Sequence, residues 1–186
     1  MEKNIPFDVA PKSRFYRRQA GFTLIELLVT LAIAVILLSL AVPNFIAFVQ
    51  NNRLATQAND LVTMLNYARS EAVKRNQSIT VCSRDSDTDC LGTTNWDNGL
   101  LVFVDTNVDG VADPGEVILQ VRQGLEGGNT LRAGRPDVTY QSTGFSPGSN
   151  TTFRLCDARG TATAREIVVS MQGRVSTDIG TLLSCP

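Results

Sequence analysis

The longest apolar run of the chain extends from Phe22 to Val49 and contains a single charged residue, Glu26. A helix needs about 20 apolar residues to cross the hydrocarbon core of a bilayer, so this run is long enough to span a membrane. The 21 residues before the run carry five basic and two acidic side chains. We therefore expect the amino terminus to stay in the cytoplasm and the residues after the run to lie on the opposite side of the membrane.

A secretory signal peptide is the alternative interpretation of the same run. Such a peptide carries a small-residue cleavage site after its apolar region. Here the small residue, Gly21, precedes the run, and the segment that follows, VPNFIAFVQNN, contains no A-x-A site. Cleavage after the run is therefore disfavoured.

Glu26 is the single charged residue of this run and lies near its start. A carboxylate in hydrocarbon costs several kcal/mol unless it is paired, and the run itself offers no basic residue. A cut between Gly21 and Phe22 would give Phe22 a free α-amine one helical turn from Glu26. That amine could pair with Glu26 of the same chain or of a neighbouring subunit.

An amphipathic helix is predicted to continue the run over residues 50–76. Its apolar residues recur at spacings of three and four, which places them on one face suited to packing on a sheet. The residues of this face are Leu54, Ala58, Leu61, Leu65, Ala68 and Ala72.

The pattern changes after Asn76 to short β-rich runs separated by Gly, Asn, Asp, Ser and Pro. Strands are predicted at 78–83, 100–105, 116–123, 137–142, 151–156 and 166–171, with loops at 123–137 and 143–151. The predicted fold class is α+β. A long N-terminal helix, transmembrane over 22–49 and amphipathic over 50–76, packs on a mostly antiparallel sheet formed by residues 77–186, here called the head.

The chain contains no histidine and four cysteines. Without histidine it lacks the commonest general base and the commonest metal ligand, and no C-x2-C spacing indicates a zinc site. In an exported domain, four cysteines indicate two disulfides with three possible pairings. We favour Cys82–Cys90, which closes a polar loop, and Cys156–Cys185, which ties the last strand to an earlier one. Four free thiols are the alternative.

The segment GFTLIELLVTLAIAVILLSLAVPNF resembles the class III signal sequence of type IV pilins and type II secretion pseudopilins. The resemblance implies that a prepilin peptidase cuts after Gly21 and methylates Phe22. It also implies that Glu26, with Thr23 and Leu24 beside it, sets the register of each subunit against the next. The matched pattern G-F-T-L-x-E consists of Gly21, Phe22, Thr23, Leu24 and Glu26.

Pro43 matches the position at which helices of that family often bend. Proline lacks a backbone amide and clashes with the carbonyl one turn earlier, so a kink at Pro43 is also expected on physical grounds.

The head resembles the GspH/FimT group of minor pseudopilins and minor pilins. The matching motifs are CSRDSDTDC, Trp96-x-x-Gly99, the segment Phe103–Glu116, the segment Phe153–Gly160, and Gly173-Arg174. This resemblance implies a β-sandwich-like head on a long helix. The implied partners are other minor and major pilins or pseudopilins, the prepilin peptidase and the inner-membrane assembly platform.

The resemblance also implies a location and a function. Residues 1–21 would be a cleaved cytoplasmic leader, and the mature chain a single-pass protein of the bacterial inner membrane with its head in the periplasm. It would then enter a fibre. We expect a minor pilin of a type IV pilus, in the tip or priming complex. The first alternative is an H-type minor pseudopilin of type II secretion, and the second is a DNA-binding minor pilin.

Residues 105–116, DTNVDGVADPGE, match the calcium-loop pattern D-x-[DN]-x-[DN]-G-x5-E. An EF-hand needs flanking helices, whereas the flanks LLVFV and VILQV favour strands. We therefore interpret the stretch as a hairpin connection and expect no cofactor, with calcium as the alternative ligand. The calcium ligands would be Asp105, Asn107, Asp109, the Val111 carbonyl, Asp113 and Glu116.

Catalysis is disfavoured because the chain has no histidine, no nucleophile motif and no phosphate loop. The acidic run of Asp85, Asp87 and Asp89 is interpreted as a solvated loop. We therefore expect a structural protein rather than an enzyme.

Nucleic-acid binding is disfavoured by charge, since residues 50–186 carry 12 basic and 15 acidic side chains. The family motif associated with DNA binding is G-R-x-R, and here the stretch is GRVS, which keeps only Arg174. One arginine offers one salt-dependent phosphate contact. Arg154, Arg159 and Arg165 are candidates to join it in the fold, and a capping role for Arg174 at a strand end is the favoured interpretation.

Overall fold

A computed structural model describes residues 21–179 and Cys185. Of the predicted leader only Gly21 falls within this range, and residues 1–20 lie outside it. The described residues form one helix, α1 (Leu24–Arg75), and eight strands. The strands are β1 (Ile79–Ser83), β2 (Gly99–Val104), β3 (Ile118–Gln123), β4 (Thr130–Ala133), β5 (Asp137–Tyr140), β6 (Thr151–Cys156), β7 (Arg165–Val169) and β8 (Val175–Ile179).

Two compact units divide the chain, Met1–Asn44 and Phe45–Pro186. Within the described part of the first unit α1 is apolar and its side chains are exposed. The second unit contains the rest of α1, both sheets and, among the described residues, every apolar residue that is buried.

The strands form two four-stranded sheets with the orders β3-β2-β1-β5 and β4-β6-β7-β8. All of their pairings are antiparallel. Together with the long helix, the sheets confirm the predicted α+β fold class.

One core joins α1 to both sheets. The predicted apolar face of α1 is buried at all six positions, and Met64 is buried with it. Trp96 packs edge-to-face on Phe153 of the second sheet, with ring centroids 4.9 Å apart. The helix ends after Arg75, where Asn76 takes a left-handed conformation (φ 54°) and Gln77 N donates to Ala72 O.

The six predicted strands are all present, with each end within two residues of the prediction, but the sequence missed two strands. β4 lies within the stretch 123–137 that was predicted to be a loop, so that prediction was wrong. It has only four residues, TLRA, with glycines close to both ends. It forms a strand because it pairs with β6. β8 reads VSTDI, whose polar and exposed residues give no alternating apolar signal. It is held by pairing with β7.

Both disulfides have the pairing favoured from the sequence. Cys82 bonds Cys90 at the end of β1, and Cys156 at the end of β6 bonds Cys185. Among the described residues there is no free cysteine.

The outer face of the first sheet carries a second, smaller cluster formed by Cys82, Leu101, Phe103 and Ala112. Ala112 belongs to the β2–β3 connection, so this connection folds back over the sheet that it joins. The calcium-like stretch, residues 105–116, is thus part of a connection that packs on the outer face of the first sheet.

Candidate processing and assembly site

The start of α1 is built by local backbone contacts. Gly21, Phe22 and Thr23 precede the helix and are exposed. Thr23 Oγ1 accepts a hydrogen bond from Glu26 N at 3.3 Å, and Thr23 O accepts one from Leu27 N at 3.2 Å. Thr23 is therefore the N-cap of α1, a role that the sequence pattern T-x-x-E could have indicated.

Glu26 lies in the first turn of α1 and its side chain is exposed. A carboxylate there faces the positive end of the helix dipole, which stabilises it by about 0.3–1 kcal/mol. The peptide bond between Gly21 and Phe22 lies outside the helix, and among the described residues no atom beyond its chain neighbours comes within 4 Å of the position that a Cβ on Gly21 would occupy. A protease could reach this bond without unwinding the helix.

The apolar half of α1 has no protein partner within the described residues. An 18-residue stretch of this helix is strongly apolar, and none of it is buried. Phe22, Leu24, Val35, Leu40 and Phe45 are each more than 60% exposed. Such a surface is stable only in lipid or against other apolar helices.

Pro43 lies inside α1, and the helix continues through it. The side chain of Asn44 donates from Nδ2 to Leu40 O at 2.8 Å. The helix is not interrupted at Pro43, and a bend there stays a prediction.

The calcium-like stretch, residues 105–116, is a closed turn network. Asp105 is 1% exposed, and its carboxylate accepts hydrogen bonds from Val108 N, Gly110 N and Thr80 Oγ1 at 2.6, 3.0 and 2.7 Å. Glu116 accepts from the backbone amides of Thr106 and Asp113. These carboxylates are occupied in holding the turn.

Three more of the proposed calcium ligands also make contacts inside this turn network. Asn107 Nδ2 donates to Asp109 and Asp113, and Asp109 Oδ1 accepts from Val111 N. Within the described residues no group of three or more acidic or cysteine side chains is placed to hold a metal ion.

Asp137 lies beside this turn, on the outer face of the first sheet. Burial raises the pKa of its carboxyl, and the negative charge of Asp105 raises it further, against the opposing effects of Arg135 and Thr139. Its Cγ would be 3.2 Å from a Cβ on Gly110, which has a φ of +80°. The close packing therefore requires glycine at position 110.

The arginines proposed to join Arg174 do not form one surface with it. Arg159 is held by Asp157 through Nε and Nη2 at 2.8 and 2.6 Å. Arg154 and Arg165 lie in neighbouring strands, but the register pairs Arg154 with Glu166 and Arg165 with Leu155, which places them on opposite faces. Arg174 is exposed on the turn before β8, where its backbone pairs with Ser170.

Gly173 of the late Gly-Arg pair has a structural role that the sequence did not indicate. Arg69 of α1 donates to Gly144 O at 2.9 Å and to Gln172 O at 3.2 Å, and so joins two turns to the helix. Gly173 packs where a Cβ would come within 2.2 Å of Gly144 O. We call this contact between Arg69, Gly144 and Gly173 the arginine clasp.

Two protein-family models match the chain. The model described as type II transport protein GspH matches residues 57–173, and the prokaryotic N-terminal methylation motif matches residues 16–42. The second match contains Gly21, Phe22 and Glu26.

Known relatives agree with these matches. The chain is 33% identical over 165 residues to the pilin-like protein PilA1 of Thermus thermophilus. This alignment covers 83% of this chain and 95% of the relative. A crystal structure of the type IV minor pilin FimU of Pseudomonas aeruginosa matches with a TM-score of 0.60 at 25% identity, over 75% of this chain and 99% of FimU. A second crystal form of FimU matches with a TM-score of 0.57 at 24% identity, over 72% of this chain and 100% of FimU.

Proposed function

This chain belongs to the GspH family of pilin-like proteins, and from that premise we propose that it is a minor pilin assembled through α1 into a type IV pilus. We place it in the tip or priming complex of that fibre. The observation that carries the proposal is the exposed apolar half of α1 directly behind the G-F-T-L-x-E motif.

Processing precedes assembly in this proposal. The prepilin peptidase cuts between Gly21 and Phe22 and methylates the new terminus. Before assembly the chain is a single-pass protein of the inner membrane with residues 50–186 in the periplasm, which is supported by the basic residues before the apolar run. The two disulfides fit an oxidising compartment. We assign it no catalytic role.

Glu26 has the central part in assembly. When α1 leaves the bilayer, its apolar surface contacts neighbouring helices instead of lipid. An unpaired carboxylate between apolar helices costs free energy. The methylated amine of Phe22 on an adjacent subunit would pair with it and set the register. The position of Glu26 in the first helical turn supports this, because it holds the carboxylate close to the new terminus.

A role in type II secretion, as an H-type minor pseudopilin, is the second candidate. The description of the matched family model, type II transport protein GspH, favours it. The pilus is favoured by the likeness to a type IV minor pilin and to a pilin-like protein. The two candidates share the processing site and differ in the fibre that the subunit enters.

Replacing Glu26 with Ala tests the shared mechanism. We expect normal cleavage after Gly21, seen as a shortened chain on a gel, and loss of the chain from sheared pili or from the periplasmic fibre. Ser39→Ala is the matched control, because Ser39 lies in the same helix and, within the part of the chain that the structure describes, its hydroxyl donates to the Ile36 carbonyl alone. Full incorporation of the Glu26→Ala chain would contradict the proposal.

Deleting the gene separates the two fibres. A pilus role predicts loss of surface pili and of twitching with normal export of secreted enzymes. The opposite result would assign the subunit to type II secretion.

A further inference from the structure

Several connections of the second unit converge at the carboxyl-terminal end of α1. β1 begins at Ile79, and its register partners Val104 and Tyr140 end β2 and β5. The β2–β3 and β5–β6 connections therefore leave the first sheet at the end where α1 stops. Arg69 adds the β7–β8 turn to this group through its bond to Gln172 O.

Exposed apolar side chains gather on these same connections. Among the described residues after position 50, the exposed large apolar side chains are Val73, Val108, Val111, Val117, Phe145, Met171 and Ile179. All but Ile179 belong to the last turns of α1 or to these three connections. A surface of this kind on a soluble unit marks an interaction site.

Four of these residues lie on segments that contact one another. Val73 Cγ2 would lie 3.1 Å from a Cβ on Gly144, which precedes Phe145, and Ser146 N donates to Met171 O at 3.0 Å. Val108 lines a cleft of about 330 Å³ whose other wall includes Pro147. We call the surface formed by Val73, Val108, Phe145 and Met171, each 51–55% exposed, the apolar pole.

The apolar pole is rigidly supported. The arginine clasp fixes the turns that carry Phe145 and Met171 to α1. The buried carboxylate of Asp105 holds Val108 N, and Val108 is kept at a φ of +61°, which a β-branched residue rarely adopts. Strain of this kind is retained where the surrounding structure enforces it, often at binding sites. A surface ordered in advance loses less entropy on binding.

The charged residues near the apolar pole distinguish a membrane from a protein as its partner. Charged residues of both signs lie on the same segments as the pole residues: Lys74 and Arg174 are basic, Asp109 and Asp113 are acidic, and all four are exposed. A membrane-binding surface would carry a basic rim. An apolar centre within a mixed polar rim is instead the anatomy of a protein–protein interface.

We propose that the apolar pole binds the head of the next pilin-type subunit in the fibre. The chain belongs to a family of pilin-like proteins, and one residue of the pole, Val73, lies in the last turns of α1 within the second unit. The inference rests on the proposed function and adds the place at which the heads meet.

Photo-crosslinking of the full-length chain in assembling cells tests the contact. A photoreactive residue at position 171 should form an adduct with a pilin-type subunit, identified by mass spectrometry. The same residue at exposed position 176 of β8 is the control and should give at least about tenfold less adduct. Equal yields at both positions, or adducts with lipid alone, would overturn the inference.

Substitution at the pole gives an independent measurement. The pair Phe145→Gln and Met171→Gln should lower incorporation about tenfold, because each half-exposed side chain loses its apolar contact. Ile179→Gln is the matched control, since Ile179 is 61% exposed and lies away from the pole. Thermal unfolding of residues 45–186, which hold the whole core and both disulfides, verifies that the variants fold.

The two proposals fail differently. If Glu26→Ala abolishes incorporation and the pole variants incorporate normally, the pole inference falls and the proposed function stands. If Glu26→Ala incorporates normally, the proposed function itself falls.

Discussion

Gly173 and Asp105 are single residues whose importance comes from the backbone packed around them. Gly173 lets the β7–β8 turn approach the Gly144 carbonyl, which Arg69 also binds. Asp105 directly follows β2, and its buried carboxylate accepts hydrogen bonds from two backbone amides of the following turn. Both residues fix the connections that form the apolar pole.

Replacing Gly173 with Ala should be strongly destabilising. Gly128 has the same φ of +71° with no atom within 4 Å of its Cβ position, so Gly128→Ala measures the conformational cost alone, about 1 kcal/mol. Gly173→Ala adds the clash with Gly144 O, and we expect about 2 kcal/mol more. Urea unfolding of residues 45–186 measures both, and equal losses would refute the packing role of Gly173.

Calcium should leave the stability of the chain unchanged. The carboxylates of Asp105, Asp109 and Glu116 already accept backbone hydrogen bonds within the turn. We expect no change in melting temperature and no calorimetric heat at millimolar calcium. A rise in melting temperature that Asp109→Asn abolishes and Asp85→Asn leaves intact would instead establish a calcium site.

α1 is one continuous helix, and only its second half is packed against other described residues. Before Asn44 its apolar side chains are exposed all round, and after Leu54 one stripe is buried in the core. Near its end Glu71 is 7% exposed and is bonded by Arg75 Nε at 2.6 Å and by Lys74 Nζ at 3.3 Å. These cations close the last turn, where positive charge also complements the helix dipole.

Acid should weaken the second unit partly through Glu71. The hydrogen bond from Arg75, with that of Lys74, lowers the pKa of Glu71 against the opposing effect of burial. A lowered folded-state pKa stabilises the fold above the unfolded-state pKa, and this contribution is lost as the pH falls through the folded-state value. Between about pH 5 and pH 3, Glu71→Gln should therefore lose less stability than the parent chain.

Glu126→Gln is the control for that experiment, because Glu126 is exposed. Stability is followed by urea unfolding of residues 45–186 at each pH. An identical acid slope for Glu71→Gln and the parent chain would contradict the assignment.

The whole second unit depends on contacts between distant parts of the chain. α1 and both sheets share one core, so no sheet has a complete apolar core of its own. The two disulfides close loops with sequence separations of 8 and 29 residues. The longer loop carries β7 and β8, and β8 is an edge strand held by β7 alone among the described residues.

Removing the long-loop disulfide should cost more stability than removing the short one. Loop-closure entropy predicts about 3.6 kcal/mol for the Cys156→Ser, Cys185→Ser pair and about 2.6 kcal/mol for the Cys82→Ser, Cys90→Ser pair. Urea unfolding of the two double variants of residues 45–186 measures the difference. A larger loss for the short loop would show that its packing against Phe103, rather than chain entropy, dominates.

Elements whose signal lies in their own sequence could be predicted, and elements that depend on distant partners could not. The buried stripe of α1 follows from a spacing of three and four residues, and six strands follow from their own β-rich runs. β4 and β8 carry no such signal, because short or polar segments become strands only when a neighbour pairs with them. The arginine clasp was equally hidden, since Arg69 and Gly144 are 75 residues apart.

The sequence by itself determined the apolar helix, the processing motif from Gly21 to Glu26, and the amphipathic face that meets the sheets. These features depend on residues within a few helical turns, where spacing and charge set the outcome. The tertiary structure decided that residues 105–116 form a turn folded over a sheet and that three distant connections meet at the end of α1. The register between strands places those connections together, and register depends on partners that are far apart in the chain.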